Sequence, residues 1–253
     1  MTGRGGYNGR VTTDRSTARR RCAAALIAAA CLPLVQCSSA PPQPSPTAVS
    51  PPPSPATTTT TATTTTRQPV PATVHPVTVA ELGTTWRPGC PAGPEVLRRV
   101  ELDYLGFDGR THRGALVVHK DLVPEVITIF EELLRQRYPI EKMRTVDHYP
   151  RADDELSMRD NNTSAFNCRG IPGSRSWSLH AYGRAIDVNP LLNPYIGSGG
   201  VEPANAGPYV DRSRIDPGLL HPGDPAVLAF TDRGWQWGGL WRSPIDYQHF
   251  EKR

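Results

Sequence analysis

Long apolar segments and positive charge are both scarce where a folded domain is expected. Outside the first 36 residues of this 253-residue chain, no run of about 18 apolar residues occurs, which excludes a polytopic membrane protein. The formal net charge is +4, but six arginines and one aspartate in residues 1–36 supply +5, and residues 79–253 carry −2. Because the positive charge lies in the leader, we expect no nucleic acid among the partners.

The first 36 residues have the composition of a secretory signal peptide. Three arginines, 19–21, precede a short apolar run over residues 22–35. Cys37 follows Leu-Val-Gln, a sequence that resembles a bacterial lipobox, in which the cysteine is lipidated. Gln36 departs from the small residue usual at its position, so ordinary secretion or a retained anchor stays open. We expect an exported protein of the cell envelope, anchored by a lipid on Cys37 to the outer face of the cytoplasmic membrane and otherwise free of membrane contact.

Residues 37–78 are nearly all Pro, Thr, Ser, Ala and Val. With no acids and few large apolar side chains, such a segment cannot bury enough surface to offset chain entropy. It is therefore predicted to be a disordered linker between the signal peptide and one domain over residues 79–253. A tether of this kind lets a domain move away from the membrane surface, although a linker without a geometric purpose is the alternative.

Cysteine is rare, with five residues in the whole chain. Two lie in the signal peptide and Cys37 is the lipidation candidate. Cys90 and Cys168 remain, and an exported protein folds where disulfides form. We therefore expect a disulfide between them, with two buried free thiols as the alternative.

The hydrophobic pattern of residues 79–253 indicates an α+β domain. The β-branched run at residues 114–118 predicts a strand. Apolar residues recur every three or four positions from Asp121 to Arg137, which predicts an amphipathic helix with Asp121 as its N-cap. Further strands are expected at residues 140–146, 163–167, 184–188 and 247–250, a helix at 225–233, and a long loop at 189–223. Since strands and helices do not alternate regularly, a small antiparallel sheet flanked by helices fits best.

Two distant segments together offer two imidazoles and two carboxylates. The first, Ser-Leu-His-Ala-Tyr-Gly-Arg-Ala-Ile-Asp, contains His180 and Asp187, and the second, Asp-Tyr-Gln-His-Phe, contains Asp246 and His249. A catalytic zinc ion typically takes three protein ligands and leaves a fourth position for water. His180, Asp187 and His249 would supply those ligands. Asp246 would then take a proton from the water as general base. Any one of these residues alone is more often an ordinary core or surface residue, but the combination favours a metal site.

The small residues between His180 and Asp187 can be explained by the backbone path that brings the two expected ligands together. Gly183 permits a backbone bend after His180. Ala185 and Asp187 are two residues apart on a predicted strand and share a face, where the small Ala185 leaves room beside a metal. The alternate residues Ile186 and Val188 would face the core.

The pattern Ser-x-His-x-x-Gly-x-Ala-x-Asp followed by Asp-x-x-His resembles that of the zinc D-alanyl-D-alanine carboxypeptidases and related peptidoglycan peptidases. These enzymes group with lysostaphin-type peptidases and the hedgehog signalling domain. The resemblance extends over residues 161–169, 187–190, 193–195 and 234–239. It implies a hedgehog/D,D-peptidase-like domain with zinc at His180, Asp187 and His249 and with Asp246 as general base. All four positions hold the expected residue types.

The same family uses an arginine to stabilise the oxyanion and hold the substrate, a role suited to a fixed guanidinium. Arg169 is the favoured candidate and Arg144 the alternative, although either could instead pair with surface acids. Ser178 is expected to hydrogen-bond near the metal ligands, or else to be a simple turn residue. Tyr182, in the same motif, is assigned with Ser178 and Arg144 to the group around the substrate.

The resemblance implies hydrolysis of peptidoglycan stem peptides, with removal of the terminal D-alanine as the expected reaction. An endopeptidase that cuts within the stem, for example between L-Ala and D-Glu, or in the cross-bridge is the nearest alternative. A non-catalytic zinc-containing wall-binding module is a second alternative, and the presence of Asp246 disfavours it. The sequence does not decide which bond is cut. We expect a monomer.

Overall fold

A computed structural model describes residues 70–253. The predicted signal peptide, the lipidation candidate Cys37 and the predicted linker up to residue 69 lie outside the described residues. Among the helices of the described part, none has the length and apolar character needed to cross a membrane.

The described residues form an α+β structure with several small sheets in place of the single sheet expected. Their α-helices are α1 (Val79–Leu82), α2 (Val123–Arg135), α3 (Asp154–Arg159) and α4 (Pro225–Thr231). Their strands are β1 (Thr73–Pro76), β2 (Leu97–Leu105), β3 (Thr111–His119), β4 (Lys142–Met143), β5 (Asn162–Thr163), β6 (Ala185–Asp187), β7 (Tyr195–Gly197), β8 (Gly200–Glu202), β9 (Gln236–Trp237), β10 (Ile245–Asp246) and β11 (His249–Glu251). All pairings between these strands are antiparallel except β4 with β5.

The main sheet has the order β1-β2-β3, and α2 packs on one of its faces. The predicted strand at 114–118 lies within β3. The sequence pattern does not predict β2, because Arg98 and Arg99 interrupt the alternation of apolar and polar residues. Apolar residues of α2 at helical spacing, such as Val126 and Phe130, join those of the sheet in one buried cluster.

Helix α2 begins later than predicted, and Asp121 is not its N-cap. A short 3-10 helix, Lys120–Leu122, comes first, and α2 starts at Val123. The reason is Pro124, whose fixed φ and missing N–H suit the first turn of a helix. The backbone N–H of Asp121 instead donates to His119 Nδ1 over 3.4 Å.

Ordered structure is present before residue 79, inside the segment that the sequence assigns to the linker. Strand β1 pairs with β2, with Thr73 opposite Glu101. Thr78 forms a capping box with Glu81: its hydroxyl accepts from the Glu81 N–H over 3.3 Å, and Glu81 Oε2 accepts from the Thr78 N–H over 2.7 Å. Pairing partners elsewhere in the chain therefore order a segment whose composition alone favours disorder.

Three smaller sheets occupy the rest of the domain, with the orders β6-β11-β9, β10-β7-β8 and β4-β5. Strands β7 and β8 lie inside the segment 189–223, which is therefore not a continuous loop. Of the expected strand at 140–146 only β4 forms. Phe250 anchors β11, because its ring stacks on Phe230 at 3.9 Å between centroids and is fully buried.

The predicted disulfide between Cys90 and Cys168 is confirmed, with 5.9 Å between the two Cα atoms. It connects the start of the domain to the segment that precedes the His180 motif. Disulfides persist in oxidising compartments, which indicates an extracytoplasmic domain.

Candidate metal centre

His180 lies in a short 3-10 helix, Leu179–Tyr182, and local contacts fix its backbone. Ser178 caps this helix, and its hydroxyl accepts the His180 N–H over 3.3 Å. Gly183 ends it in the left-handed region with a φ of 67°. A Cβ atom at Gly183 would lie 2.7 Å from the backbone nitrogen of His119, so only glycine fits this bend.

Antiparallel pairing between β6 and β11 brings the other two predicted ligands together. In this register His249 lies directly opposite Asp187. Side chains of such a pair share one face of the sheet and are close enough to interact. His180, Asp187 and His249 are respectively 2 %, 4 % and 6 % exposed.

The three residues bring their donor atoms close together, with one ligand atom from each within 4.8 Å of the other two. His180 Nε2 lies 3.0 Å from Asp187 Oδ2, and His249 Nδ1 lies 3.0 Å from Asp187 Oδ1. The two ring nitrogens, His180 Nε2 and His249 Nδ1, are 3.2 Å apart. Around a tetrahedral zinc ion with bonds of about 2.0–2.1 Å, neighbouring donors would be separated by about 3.3 Å. The separation of the two ring nitrogens and their distances to the Asp187 carboxylate are thus close to that value.

The outer nitrogens of both rings already have acceptors. His180 Nδ1 lies 2.5 Å from the carbonyl oxygen of Ala165, and His249 Nε2 lies 3.2 Å from Glu251 Oε2. Each of these contacts requires an N–H on the outer nitrogen, which leaves a lone pair on the inner nitrogen of a neutral ring. Two such lone pairs and a carboxylate then face one another inside the protein. Only a cation or additional protons can stabilise that arrangement, so the donor set fits a metal ion.

The pKa shifts of the metal-free cluster follow from the same geometry. Burial acts to lower the pKa of His249, but hydrogen bonds to Asp187 and Glu251 outweigh burial and raise that pKa to about 10. Burial acts to raise the pKa of Asp187, but the charge and hydrogen bond of His180 hold it well below its usual range. Without a metal, protons therefore take the cation's place.

Asp246 lies in β10, opposite Tyr195 of β7, within electrostatic reach of His249 and Asp187. Its Oδ1 atom is buried and has no hydrogen-bond partner within residues 70–253. Burial, reinforced by the charge of Asp187 and opposed by those of His249 and Arg169, raises the pKa of Asp246 to about 7. A carboxylate with a free buried oxygen and a pKa near neutrality can both accept and donate a proton.

The two candidate arginines lie in different surroundings. Arg169 Nε is 2.9 Å from Asp154 Oδ2, and its Nη2 is 4.0 Å from Asp187 Oδ2. Arg169 therefore pairs with a surface acid, as the alternative reading expected, and also lies beside the donor cluster. Arg144 lines a separate cavity of about 210 Å³ whose other lining residues include Arg99 and His148 and none of the three donors.

The remaining predicted residues flank the centre at different depths. Ser178 is 6 % exposed and contacts the backbone of His180, and Tyr182 ends the 3-10 helix as a half-buried residue. The Trp241 ring packs against the His249 ring in a tilted arrangement, with 5.4 Å between the ring centroids.

Sequence reasoning missed three groups that hold the site. The period of two along a strand could have indicated Glu251, which shares a face with His249. Asp154 has no sequence signal beyond that of any surface acid that could pair with an arginine, and in the structure it pairs with Arg169. The Ala165 carbonyl has no sequence signal, because any residue carries one.

Comparison with protein families matches residues 172–252 to the family described as D-alanyl-D-alanine carboxypeptidase. The matched segment contains all three donor residues and Asp246, whereas Arg169 precedes it. Comparison with curated protein sequences and with solved structures returned no match. The buried His-Asp-His group lies within this matched segment, so the part of the chain that carries the candidate metal centre is similar to a family of hydrolases.

Proposed function

We propose that this protein is a zinc carboxypeptidase that removes the terminal D-alanine from peptidoglycan stem peptides. The observation that carries the proposal is the buried convergence of three donor atoms beside Asp246, inside the segment that matches the family. His180, Asp187 and His249 would hold the metal. Zinc in such a site supplies Lewis acidity toward water and toward the scissile carbonyl.

Asp246 acts as the general acid and base in this proposal. Its unpartnered Oδ1 accepts a proton from the attacking water and then delivers that proton to the nitrogen of the leaving D-alanine. The pKa of about 7 in the metal-free protein reflects burial next to another carboxylate, the environment that makes proton release to a leaving group feasible.

Arg169 stabilises the negative charge that develops on the carbonyl oxygen. Asp154 Oδ2 forms an ion pair with its Nε over 2.9 Å, which restrains the guanidinium while Nη2 lies 4.0 Å from Asp187 Oδ2. A restrained cation stabilises a transition state more than a mobile one does, because little reorganisation is needed. Ser178 fixes the His180 backbone, and Tyr182 is assigned to the surroundings of the substrate.

The proposal extends to the parts of the chain that the structure does not describe. Residues 1–36 direct export, Cys37 carries a lipid anchor, and the following Pro/Thr-rich segment tethers a monomeric, hedgehog/D,D-peptidase-like domain at the cell envelope. This placement agrees with the disulfide and brings the site to its substrate.

The test uses the full chain, a synthetic stem pentapeptide ending in D-Ala-D-Ala, and mass spectrometry of the products. We expect the loss of one alanine, with no product from Asp246→Asn or from His180→Ala. Arg135→Ala, a change on the exposed end of α2, is the control and should cleave at the wild-type rate.

Other products would redirect the proposal. Cleavage inside the stem or in a cross-linked dimer would keep the zinc mechanism and make the protein an endopeptidase. An intact peptide and intact muropeptides, with one metal ion bound per chain, would contradict the peptidase proposal and favour a wall-binding module.

A further inference from the structure

A second carboxylate is buried behind the donor cluster, on the far side of His249. Glu251 Oε2 lies 3.2 Å from His249 Nε2, the ring nitrogen that points away from the other two donors. Glu251 is 9 % exposed and His249 is 6 % exposed. A carboxylate at this depth is costly unless a donor satisfies it.

The register of β11 explains how Glu251 reaches that position. His249 and Glu251 are two residues apart and share one face of the strand. The residues opposite them on β6 are Asp187 and Ala185. Ala185, opposite Glu251, is fully buried and is the smallest side chain that has a Cβ atom.

His249 is the main partner of this carboxylate. The other ion pair of Glu251 within residues 70–253 is with Arg253, whose Nε is 3.8 Å from Oε1 and whose side chain is 81 % exposed. An exposed arginine at that distance contributes little. The buried charge of Glu251 is therefore directed at the His249 ring.

We propose that Glu251 is a positioning residue of the metal centre: it accepts the Nε2–H of His249 and so directs the Nδ1 lone pair of that ring at the metal. The inference rests on the proposed metal site but not on the identity of the bond that the enzyme cuts. A carboxylate behind a ligating imidazole fixes its tautomer and orientation and makes the coordinating nitrogen more basic.

The two histidines are held in opposite tautomers by different groups. The Ala165 carbonyl accepts from His180 Nδ1, which leaves Nε2 free for the metal. Glu251 accepts from His249 Nε2, which leaves Nδ1 free. Because a backbone carbonyl cannot be removed by substitution while Glu251 can, only one of the two supports is open to a direct test.

The first test is the zinc affinity of the full chain, measured by competition with a chromophoric chelator. Loss of such an outer carboxylate is expected to weaken binding about 10–100-fold in Glu251→Ala. Glu251→Gln keeps an acceptor oxygen and should recover most of that loss. Glu131→Ala, on the exposed face of α2, is the matched control and should bind zinc as the wild type does.

The second test reads the tautomer itself, by ¹⁵N NMR of histidine-labelled, zinc-loaded protein. The wild type and Glu251→Gln should show His249 with a proton on Nε2 and the metal on Nδ1. A proton on Nδ1 of His249, or a zinc affinity of folded Glu251→Ala within twofold of wild type, would overturn the proposal. If Glu251→Ala does not fold, Glu251→Gln takes its place in the test. A Glu251→Gln protein that binds zinc as weakly as His249→Ala does would also contradict the proposed role of Glu251.

Both readouts are independent of the substrate. A protein that binds zinc through Nδ1 of His249 but leaves stem peptides intact would refute the proposed reaction and support the role of Glu251.

Discussion

The burial that suits Asp246 to proton transfer also lowers the stability of the metal-free folded protein at neutral pH. The metal-free folded protein holds a proton on this carboxyl up to about pH 7, whereas an unfolded chain releases it near pH 4. Because the folded state binds the proton more tightly, stability decreases as the pH rises between those two values. Above pH 7 the full cost of the buried charge is present.

Replacement of Asp246 by Asn should therefore stabilise the metal-free protein while abolishing activity. We expect a gain of about 1–3 kcal/mol in the free energy of unfolding at pH 8, since Asn has no charge to bury. Urea unfolding with chelator present measures the gain at pH 8 and at pH 4.5.

The difference between the two proteins should be much smaller at pH 4.5, because the folded protein still holds the proton on Asp246 there and most of the pH-dependent loss of stability between pH 4 and pH 7 has not yet occurred. A constant difference at both pH values, or a less stable variant at pH 8, would contradict the assignment of a raised pKa to Asp246.

Replacement of Arg169 and of Arg144 by lysine, one at a time, tests which of the two arginines stabilises the oxyanion. Arg169→Lys keeps the charge but loses the planar fork next to Asp187 and Asp154, so kcat should fall about 100-fold or more. Arg144→Lys, in the separate cavity, should stay within about twofold of wild type by the ordinary scale of surface changes. Steady-state kinetics on the pentapeptide measures both, and a larger loss in the Arg144 variant would transfer the oxyanion role to that residue.

At the scale of elements, the turn from the 3-10 helix into β6 determines where His180 stands relative to Asp187. Gly183 is in the left-handed region and its backbone lies against His119 of β3. A side chain here meets backbone, which cannot move aside as the end of a flexible side chain could. The metal centre therefore depends on a contact between β3 and the turn.

Gly183→Ala should destabilise the protein by more than about 2 kcal/mol, because a left-handed alanine costs about 1–2 kcal/mol and the clash adds to it. Gly109→Ala is the matched control: its φ is 73°, close to the 67° of Gly183, but a Cβ there meets nothing within 4 Å. Thermal unfolding of Gly109→Ala should therefore show only the loss of stability that comes from a left-handed alanine, which is smaller than the loss in Gly183→Ala. Equal losses in the two variants would mean that the close approach to His119 contributes nothing.

Periodicity predicts those elements that bury one face over several residues. Helix α2 and strand β3 are of this kind, and both were predicted with ends wrong by a few residues. Strands β7 and β8 have three residues each, too few for any alternation to be seen. Strand β1 forms because β2 pairs with it, and no property of its own sequence indicates that partner.

The candidate site could be predicted further than the fold around it. His180, Asp187 and His249 have chemistry that depends on residue type and spacing, and the structure brings them together. The groups that hold the two histidine rings in place could not be predicted in the same way. The Ala165 carbonyl and the Glu251 carboxylate depend on register and three-dimensional contact, which a single sequence does not contain.

For the whole molecule, the disulfide and its surroundings tie the start of the domain to the site. Cys90 and Cys168 are 78 residues apart in sequence, and Arg87 Nη1 donates to the Cys168 carbonyl over 2.6 Å. Cys168 directly precedes Arg169. The N-terminal segment therefore restrains the part of the chain that carries the proposed oxyanion arginine.

A Cys90→Ser/Cys168→Ser variant should lose about 4 kcal/mol of stability, the loop-closure value for a loop of this length. Urea unfolding with and without reductant measures it, since reduction of the wild type should reproduce the loss and leave the variant unchanged. A variant as stable as the oxidised wild type would show that the bridge does not contribute.

The central claim is that His180, Asp187 and His249 hold the zinc ion on which hydrolysis depends. The most direct measurement titrates zinc into the chelator-treated full chain while following both bound metal and cleavage of the D-Ala-D-Ala pentapeptide. The account predicts that activity rises in proportion to bound zinc, reaches its maximum at one ion per chain, and is absent from His249→Ala, which should not retain the ion. Full activity in the metal-free protein, or tight stoichiometric zinc binding by His249→Ala, would contradict it.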